Sequence, residues 1–424
     1  MLSDGKSIRR VAVLGGTRVP FARSYGSYAS ATNRELLTTV LDGLAARFRL
    51  DGECLGEVVA GAVLKHAGDF NLTRESVLDS RLDSRTPAYD MQQACTTGIQ
   101  TVIAAANKIA VGAVESAVAG GTDTMSDVPM GFSDQLRTAL VSARRARTVP
   151  ARLRALSGLR PRDLAPALVH PDTRTGLSMG EHVALSARAW GIDRTAQDEL
   201  AVTSHRRLAA AYDSGFMRDL VVPHRGLDRD ENLRTDTSVH RLARLRPVFG
   251  TGAPGATMTA GNSTALSDGA AVVLLASEGW ARRRGLEPLA YLVAFETAAV
   301  DFAARPEDPL DGMMMAPARA VPRLLRRVGL GMEDFDFVEV HEAFAAQVLA
   351  NLAAWEKEGL APVAPARLNA VGSSLATGHP FAATGARIVA TLAKLLAERG
   401  GRRGLVSLGA AGGLGVAAIL ERPL

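Results

Sequence analysis

Cysteine is scarce in this chain of 424 residues: Cys54 and Cys95 are the only two. Two cysteines exclude a disulfide framework and a cysteine-rich metal site, and such sparing use fits a reducing, cytoplasmic compartment. Aromatic residues are few, at 5%. No stretch is apolar for long enough to span a membrane. The apolar run Val11–Leu14 is too short for the core of a signal peptide. No pair among the eight histidines has useful metal-ligand spacing. His341-Glu-Ala-Phe-Ala345 stops short of HExxH because position 345 is alanine. No catalytic metal is therefore expected. Gly15-Gly-Thr-Arg-Val-Pro20 lacks the glycine spacing of a dinucleotide fold, and neither GxxxxGK[ST] nor GxSxG occurs.

What is present reads as a globular α/β protein. Hydrophobic residues make up 47% and charged residues 22%, and glycine and alanine are plentiful, which favours close packing of helices on strands. The length exceeds one ordinary core, so two domains or a duplicated fold with an insertion are expected. A net charge of +5 suits an anionic partner: nucleic acid, acidic lipid or a phosphate-bearing molecule such as coenzyme A.

Val11–Leu14 predicts a strand meeting a turn at Gly15-Gly16. Leu36–Phe48 has helical spacing, and Val58–Val63 reads as a buried strand. Ile99, Val102, Ile103, Ala106 and Ile109 predict an amphipathic helix, and Ala117–Ala119 a short strand ending at Gly120-Gly121. The pattern returns near the C-terminus, with a helix through Ile388, Val389, Leu392, Leu395 and Leu396 and a strand at Leu405–Leu408. Thr97-Gly98 opens the first of these helices and Thr384-Gly385 the second, as in a duplicated domain.

Between the halves lies a basic segment. Arg137 to Arg162 holds eight arginines and no acidic residue, with leucines and valines interleaved. A solvated helical insertion, a surface for anionic lipid, a face toward coenzyme A phosphates and a docking face for another subunit all fit. Nucleic acid fits worst, for want of aromatic residues to stack on bases. Pro150 and Pro161 would break a long helix here.

Two segments can carry chemistry. Cys95, in Asp90-Met-Gln-Gln-Ala-Cys-Thr-Thr-Gly98, immediately precedes a helix. There the helix dipole and backbone donors are expected to lower its pKa and favour a nucleophile. A buried structural cysteine is the plainer alternative. His379 is held between Gly378 and Pro380 ahead of a second helix, which suits an acid/base or oxyanion-stabilising group.

Taken in order, Gly15–Phe21, the Cys95 segment, Ala119-Gly-Gly-Thr-Asp-Thr-Met125, Ser178-Met-Gly-Glu181, Leu245-Arg-Pro247, Met258-Thr-Ala-Gly-Asn-Ser-Thr264, Asp268-Gly-Ala-Ala271, His341-Glu-Ala-Phe344 and Gly378-His-Pro380 resemble the thiolase family along nearly the whole chain. HEAF and the long basic loop are similar to the fatty-acid-oxidation branch, which includes β-subunits of trifunctional complexes. The resemblance implies a five-layered αβαβα thiolase fold. Its N-terminal half would occupy 1–130 and 246–285, an inserted loop domain 131–245, and the C-terminal half 286–424. It further implies a homodimer or tetramer, a hydratase/dehydrogenase subunit as partner, and coenzyme A as substrate and product with no separate cofactor. Cys95 would attack an acyl-CoA thioester. His379 would act as base and oxyanion donor, and His341 would bind the oxyanion directly or through water. Arg234, Ser263 and Thr264 would lie near coenzyme A, and Cys54 would be structural.

One position departs from the family. The resemblance expects a second cysteine in a run such as C-A-A-G-G, and here Gly409 opens Gly409-Ala-Ala-Gly-Gly413. That cysteine would move the proton at the α-carbon, and loss of a positioned acid/base costs about 10²–10⁴-fold. Three readings stay open: an acyl-CoA acyltransferase acting in β-oxidation or related 3-ketoacyl-CoA metabolism, an acyltransferase to a non-carbon acceptor, and a non-catalytic acyl-CoA-binding subunit.

Overall fold

The computed structural model describes residues 8–164, 172–304 and 308–423. Two units separate: Met1–Asp127 with Met179–Leu424, and Val128–Ser178. The first begins with β1 (Val11–Arg18), β2 (Ala22–Arg23), α1 (Asn33–Phe48), β3 (Glu57–Ala60), α2 (Leu72–Asp79), β4 (Ala88–Asp90), α3 (Thr97–Ala110) and β5 (Ser116–Asp123). The smaller unit holds α4 (Asp134–Arg145) and α5 (Val149–Leu156). The chain then returns to the larger unit through α6 (Met179–Ala189), α7 (Arg194–Asp213), α8 (Val239–Ala243), β6 (Ser267–Ser277) and α9 (Glu278–Arg283). The C-terminal half comprises β7 (Ala290–Ala299), α10 (Ala316–Val328), β8 (Phe337–Val340), α11 (Ala345–Lys357), α12 (Ser374–Thr377), α13 (Thr384–Arg399), β9 (Arg403–Ala410) and β10 (Leu414–Glu421).

The strands run in the order β4-β3-β5-β6-β1-β7-β10-β9-β8, with β2 added at β6. The two halves repeat one pairing plan. β3 and β5 are parallel, while β5–β6 and β6–β1 are antiparallel. Likewise β8 and β9 are parallel, while β9–β10 and β10–β7 are antiparallel. The halves join where Val11, Ala12 and Val13 pair with Leu292, Tyr291 and Ala290.

Strand alternation sorts side chains into layers. Val11, Val13, Val273, Leu275, Val406, Leu408, Val416 and Ala418 face a central cluster with α3 and α13. Ala12, Leu14, Val272 and Leu274 turn outward to α1, and Leu405, Ala417 and Ile419 turn outward to α10 and α11. Helix, sheet, helix, sheet, helix is the resulting order, a thiolase-type αβαβα arrangement. The middle helix α13 is buried at every position from Thr384 to Leu396.

Several glycines expected to end strands lie inside them. β1 continues through Gly15-Gly16 to Arg18, with a register shift between Val13 and Gly15. β5 continues through Gly120-Gly121 to Asp123, and β9 passes through Gly409. At Gly16 and Gly121 the cause is close approach rather than turning. A Cβ at Gly16 would lie 2.8 Å from the Ala390 Cβ, and one at Gly121 would lie 2.5 Å from the Ala382 carbonyl oxygen.

In the smaller unit, Ser133 caps α4 and Thr148 caps α5. Pro150 sits in the first turn of α5, where its missing N–H is harmless. Neither helix has a buried residue, and Met130, Phe132, Val149 and Leu153 are exposed. Among the described residues no helix is long and apolar enough to cross a membrane.

Candidate active site

Cys95 sits in a loop wound tightly on itself. Thr97 Oγ1 donates to the Ala94 carbonyl at 2.7 Å and accepts from the Gln93 N–H at 2.9 Å, while Thr96 Oγ1 donates to the Gln93 carbonyl at 2.7 Å. Ala94 is held at φ 46°, a left-handed conformation that strains a residue bearing a Cβ. The Cys95 thiol therefore follows a constrained turn and precedes α3. Its thiol does not show the expected lowering: burial pushes its pKa up to about 12, an Ala411 N–H partly opposes that, and the Asp123 carboxylate adds to it. Desolvation outweighs the helix terminus here. Cys54, expected to be structural, is exposed.

The two candidate histidines meet. His341, just after β8, and His379, in the turn before α13, lie with their Nε2 atoms 3.2 Å apart and are both buried. His341 Nδ1 is 2.8 Å from Ser374 Oγ, and His379 Nδ1 is 2.6 Å from Thr384 Oγ1. Burial, with the Arg387 charge nearby, lowers both: His379 to about 3, and His341 well below its ordinary value, the latter also through His379. Burial thus disfavours the charged form of both rings.

A buried polar frame holds these segments. Glu342 accepts from Ser204 Oγ at 2.7 Å, Asn369 Nδ2 at 2.6 Å and the Leu375 N–H at 3.2 Å. Asn369 also accepts from the Val340 N–H at 2.7 Å. Thus β8 and the 369–379 loop are tied together on either side of the histidines. Asp123, at the end of β5, accepts from the N–H groups of Val63, Leu64 and Ala382. Burial raises its pKa to about 7. Asp123 thereby links the surroundings of Cys95 to the turn that carries His379. Asp123 and Glu342 stand inside family motifs and Asn369 stands nine residues before Gly378, but only their contacts reveal this bracing role.

Arg234 and Ser263 line one groove of about 380 Å³, together with Arg23, His205, Asn232 and Arg241. Ser263 Oγ is buried there without a hydrogen-bond partner among the described residues, as a ligand-facing hydroxyl would be. Thr264 is placed differently, its hydroxyl bonded to the Ala343 carbonyl at 3.0 Å. Asn232 connects the groove to the histidines. It donates to Ser267 Oγ at 3.2 Å, and Ser267 Oγ accepts the His379 N–H at 3.2 Å. The Asn232–Arg234 loop is anchored by Asp230, which takes two bonds from the Arg18 guanidinium at 2.6 and 2.7 Å. Among the described residues, no group of three or more His, Cys, Asp or Glu side chains could hold a metal ion.

Residues 11–279 match the pattern described as Thiolase, N-terminal domain, and residues 286–422 match Thiolase, C-terminal domain. The chain belongs to the thiolase family. It is 40% identical to the 3-ketoacyl-CoA thiolase of Pectobacterium atrosepticum, over 97% of this chain and 96% of that one. It is 39% identical to the 3-ketoacyl-CoA thiolase of Yersinia pestis, over 97% of each. Among solved structures it resembles the Bacillus anthracis acetyl-CoA acetyltransferase, with TM-score 0.85 and 29% identity over 99% of this chain and 100% of that one. It also resembles human mitochondrial 3-ketoacyl-CoA thiolase, with TM-score 0.83 and 27% identity over 98% and 99%.

Within this thiolase frame, Gly409 lies in β9 two residues before the N–H donor of Ala411. A Cβ at Gly409 would lie 3.2 Å from the Met314 carbonyl oxygen and 3.4 Å from Pro317 Cγ. The backbone there is not left-handed, so a side chain fits once Met314 yields slightly.

Proposed function

We propose that the protein is an acyl-CoA acyltransferase of the 3-ketoacyl-CoA thiolase kind, acting in fatty-acid β-oxidation through an acyl thioester on Cys95. The convergence of the His341 and His379 Nε2 atoms carries the reading. One bare Nε2 can take the thiol proton and one Nε2–H can meet the thioester or ketone oxygen. In thiolysis, the Cys95 sulfur attacks C3 of the 3-ketoacyl-CoA while its proton passes to His379. The C2–C3 bond breaks and its electron pair stays on C2. C2 then takes up a proton, which leaves acyl-Cys95 and acetyl-CoA. Coenzyme A thiol attacks acyl-Cys95, releases acyl-CoA and returns a proton to sulfur.

Since burial disfavours both thiolate and imidazolium, the proton leaves Cys95 as the sulfur–carbon bond forms, not beforehand. Gly409 offers no proton for C2, so the proton held on His379 is the available one. The groove at Arg234 and Ser263 would receive coenzyme A, its arginines facing the phosphates. The reading also implies a cytoplasmic dimer or tetramer, with a hydratase/dehydrogenase subunit as partner. The arginine-rich 137–162 segment would be a contact for an anionic membrane surface.

Incubation with acetyl-CoA should add one acetyl group to the intact protein, located on Cys95 by peptide mass spectrometry and missing in Cys95→Ala. Acetylation of Cys54 instead, or no adduct, would refute the assignment.

A further inference from the structure

The hydrogen bonds around the histidine pair run in one direction. Arg387 Nη2 lies 2.8 Å from Ser374 Oγ, and a guanidinium can only donate. Ser374 Oγ has one other partner among the described residues, His341 Nδ1, at 2.8 Å. The serine proton therefore goes to His341 Nδ1, which must accept. A neutral imidazole accepting at Nδ1 carries its hydrogen on Nε2. At the far end, Thr384 Oγ1 donates to the Pro380 carbonyl at 2.9 Å. It accepts from His379 Nδ1, which leaves His379 Nε2 bare. The two Nε2 atoms lie 3.2 Å apart with the ring centroids only 4.1 Å apart, so the rings stand side by side, His341 presenting an N–H and His379 a lone pair next to it.

We propose that Ser374, oriented by Arg387, is a positioning residue that fixes the proton of the pair on His341 Nε2, making His341 the oxyanion donor and His379 the base. The assignment rests on the reading of Cys95 and the histidines as acyl-transfer machinery, and says which ring does what. Without Ser374, His341 could place its proton on Nδ1. Both Nε2 atoms would then be bare side by side, and the acyl oxygen would lose a donor. With Ser374 in place, the pair holds a single proton between its two Nε2 atoms. Removal of the Cys95 proton by His379 turns both atoms into donors aimed at one point. Two convergent N–H groups repel unless an anion lies between them, so deprotonation of the nucleophile and assembly of the oxyanion site become one event.

Arg387 suits this role. It reaches Ser373 Oγ as well, at 3.2 Å, so its guanidinium is held in place. Glu339 is buried on β8 with neither carboxyl oxygen hydrogen-bonded among the described residues, and burial pushes its pKa up to about 8, so it offsets the Arg387 charge only in part. The positive charge near both rings also keeps the imidazoles neutral.

The test uses the full-length protein labelled with ¹⁵N-histidine. In the wild type, the His341 resonances, assigned by their loss in His341→Asn, should be those of a ring protonated at Nε2. An Nδ1–H ring would overturn the proposal without touching the role of Cys95. Ser374→Ala should shift the His341 signals toward the other tautomer. It should also slow acetylation of Cys95 by up to about 10²-fold, the scale for loss of one oxyanion donor, with acetyl-CoA affinity unchanged within about twofold. Ser374→Thr keeps the hydroxyl and should recover most of the rate. A Ser374→Ala protein that acetylates at the wild-type rate, or that loses affinity and not rate, would also overturn it. Should the wild type fail to acetylate at all, the proposed function falls, while the tautomer spectrum still reads the hydrogen-bond chain.

Discussion

The helices α3 and α13 occupy equivalent places in the two halves, start with the same Thr-Gly pair and lie in the same buried layer. What precedes them differs. The turn before α3 presents a thiol, with Ala94 strained ahead of it. The turn before α13 presents an imidazole, its ring bonded to Thr384 and the His379 backbone N–H to Ser267. The strands that follow also diverge: β5 ends on the buried carboxylate Asp123, whereas β9 carries Gly409. One frame, used twice, thus presents a thiol from one half and a pair of imidazoles from the other, the proposed nucleophile and its proposed acid/base partners. The duplication teaches that the frame constrains where chemistry sits and leaves open which chemistry it is.

Substitution at Gly409 probes that asymmetry with the largest expected effect. Gly409→Cys should raise thiolysis of acetoacetyl-CoA, by as much as about 10²-fold if proton supply at C2 limits the rate. Acetylation of Cys95 should change little. A thiolysis rate that stays flat in steady-state assays would place the limit elsewhere.

The shared frame can be broken at its crossing. A Cβ on Gly98 would lie 2.5 Å from the Ala382 carbonyl oxygen, and one on Gly385 would lie 2.2 Å from the Ile99 nitrogen. Either Gly→Ala change should cost about 1–3 kcal/mol, as for other overpacked sites, read as a lowered urea midpoint. Equal destabilisation by both would support the equivalence of the helices, and a neutral result at either would undo it.

The smallest effect concerns protons. His379 titrates near 3 when folded, against 6.5 for an ordinary histidine. Between those values the unfolded chain binds a proton that the folded protein refuses, so stability falls as pH drops below 6.5. At pH 5.5 this costs about 1 kcal/mol. His379→Gln should flatten that acid limb relative to wild type in denaturation curves at pH 7.5 and 5.5. An unchanged limb would mean that His379 is not held neutral.

Much of this was legible in the order of residues. Apolar spacing marked α1, α3 and α13, and motif order marked the family. Cys95, His341 and His379 stood out by their settings. Glycine misled, because it serves turning and close packing alike, and only the approach of Ala390 in α13 to Gly16 and of Ala382, just before α13, to Gly121 shows which. The thiol of Cys95 was misjudged because a helix terminus is visible in a sequence and desolvation is not. Ser374 and Arg387 were invisible as partners for the same reason: thirteen residues separate them along the chain, and the 2.8 Å contact belongs to the fold.

The contact of Gly98 with Gly385 has a mechanical side. Cys95 lies three residues before Gly98, and Thr384, which holds His379, adjoins Gly385. Any rocking of one half against the other about this contact would therefore move the segments of Cys95 and His379 least. A few degrees of tilt would swing the outer helices by several times the displacement felt at the sulfur. Flexing about that contact would leave these side chains in register while the periphery moves, as the hands of a clock move little at the spindle.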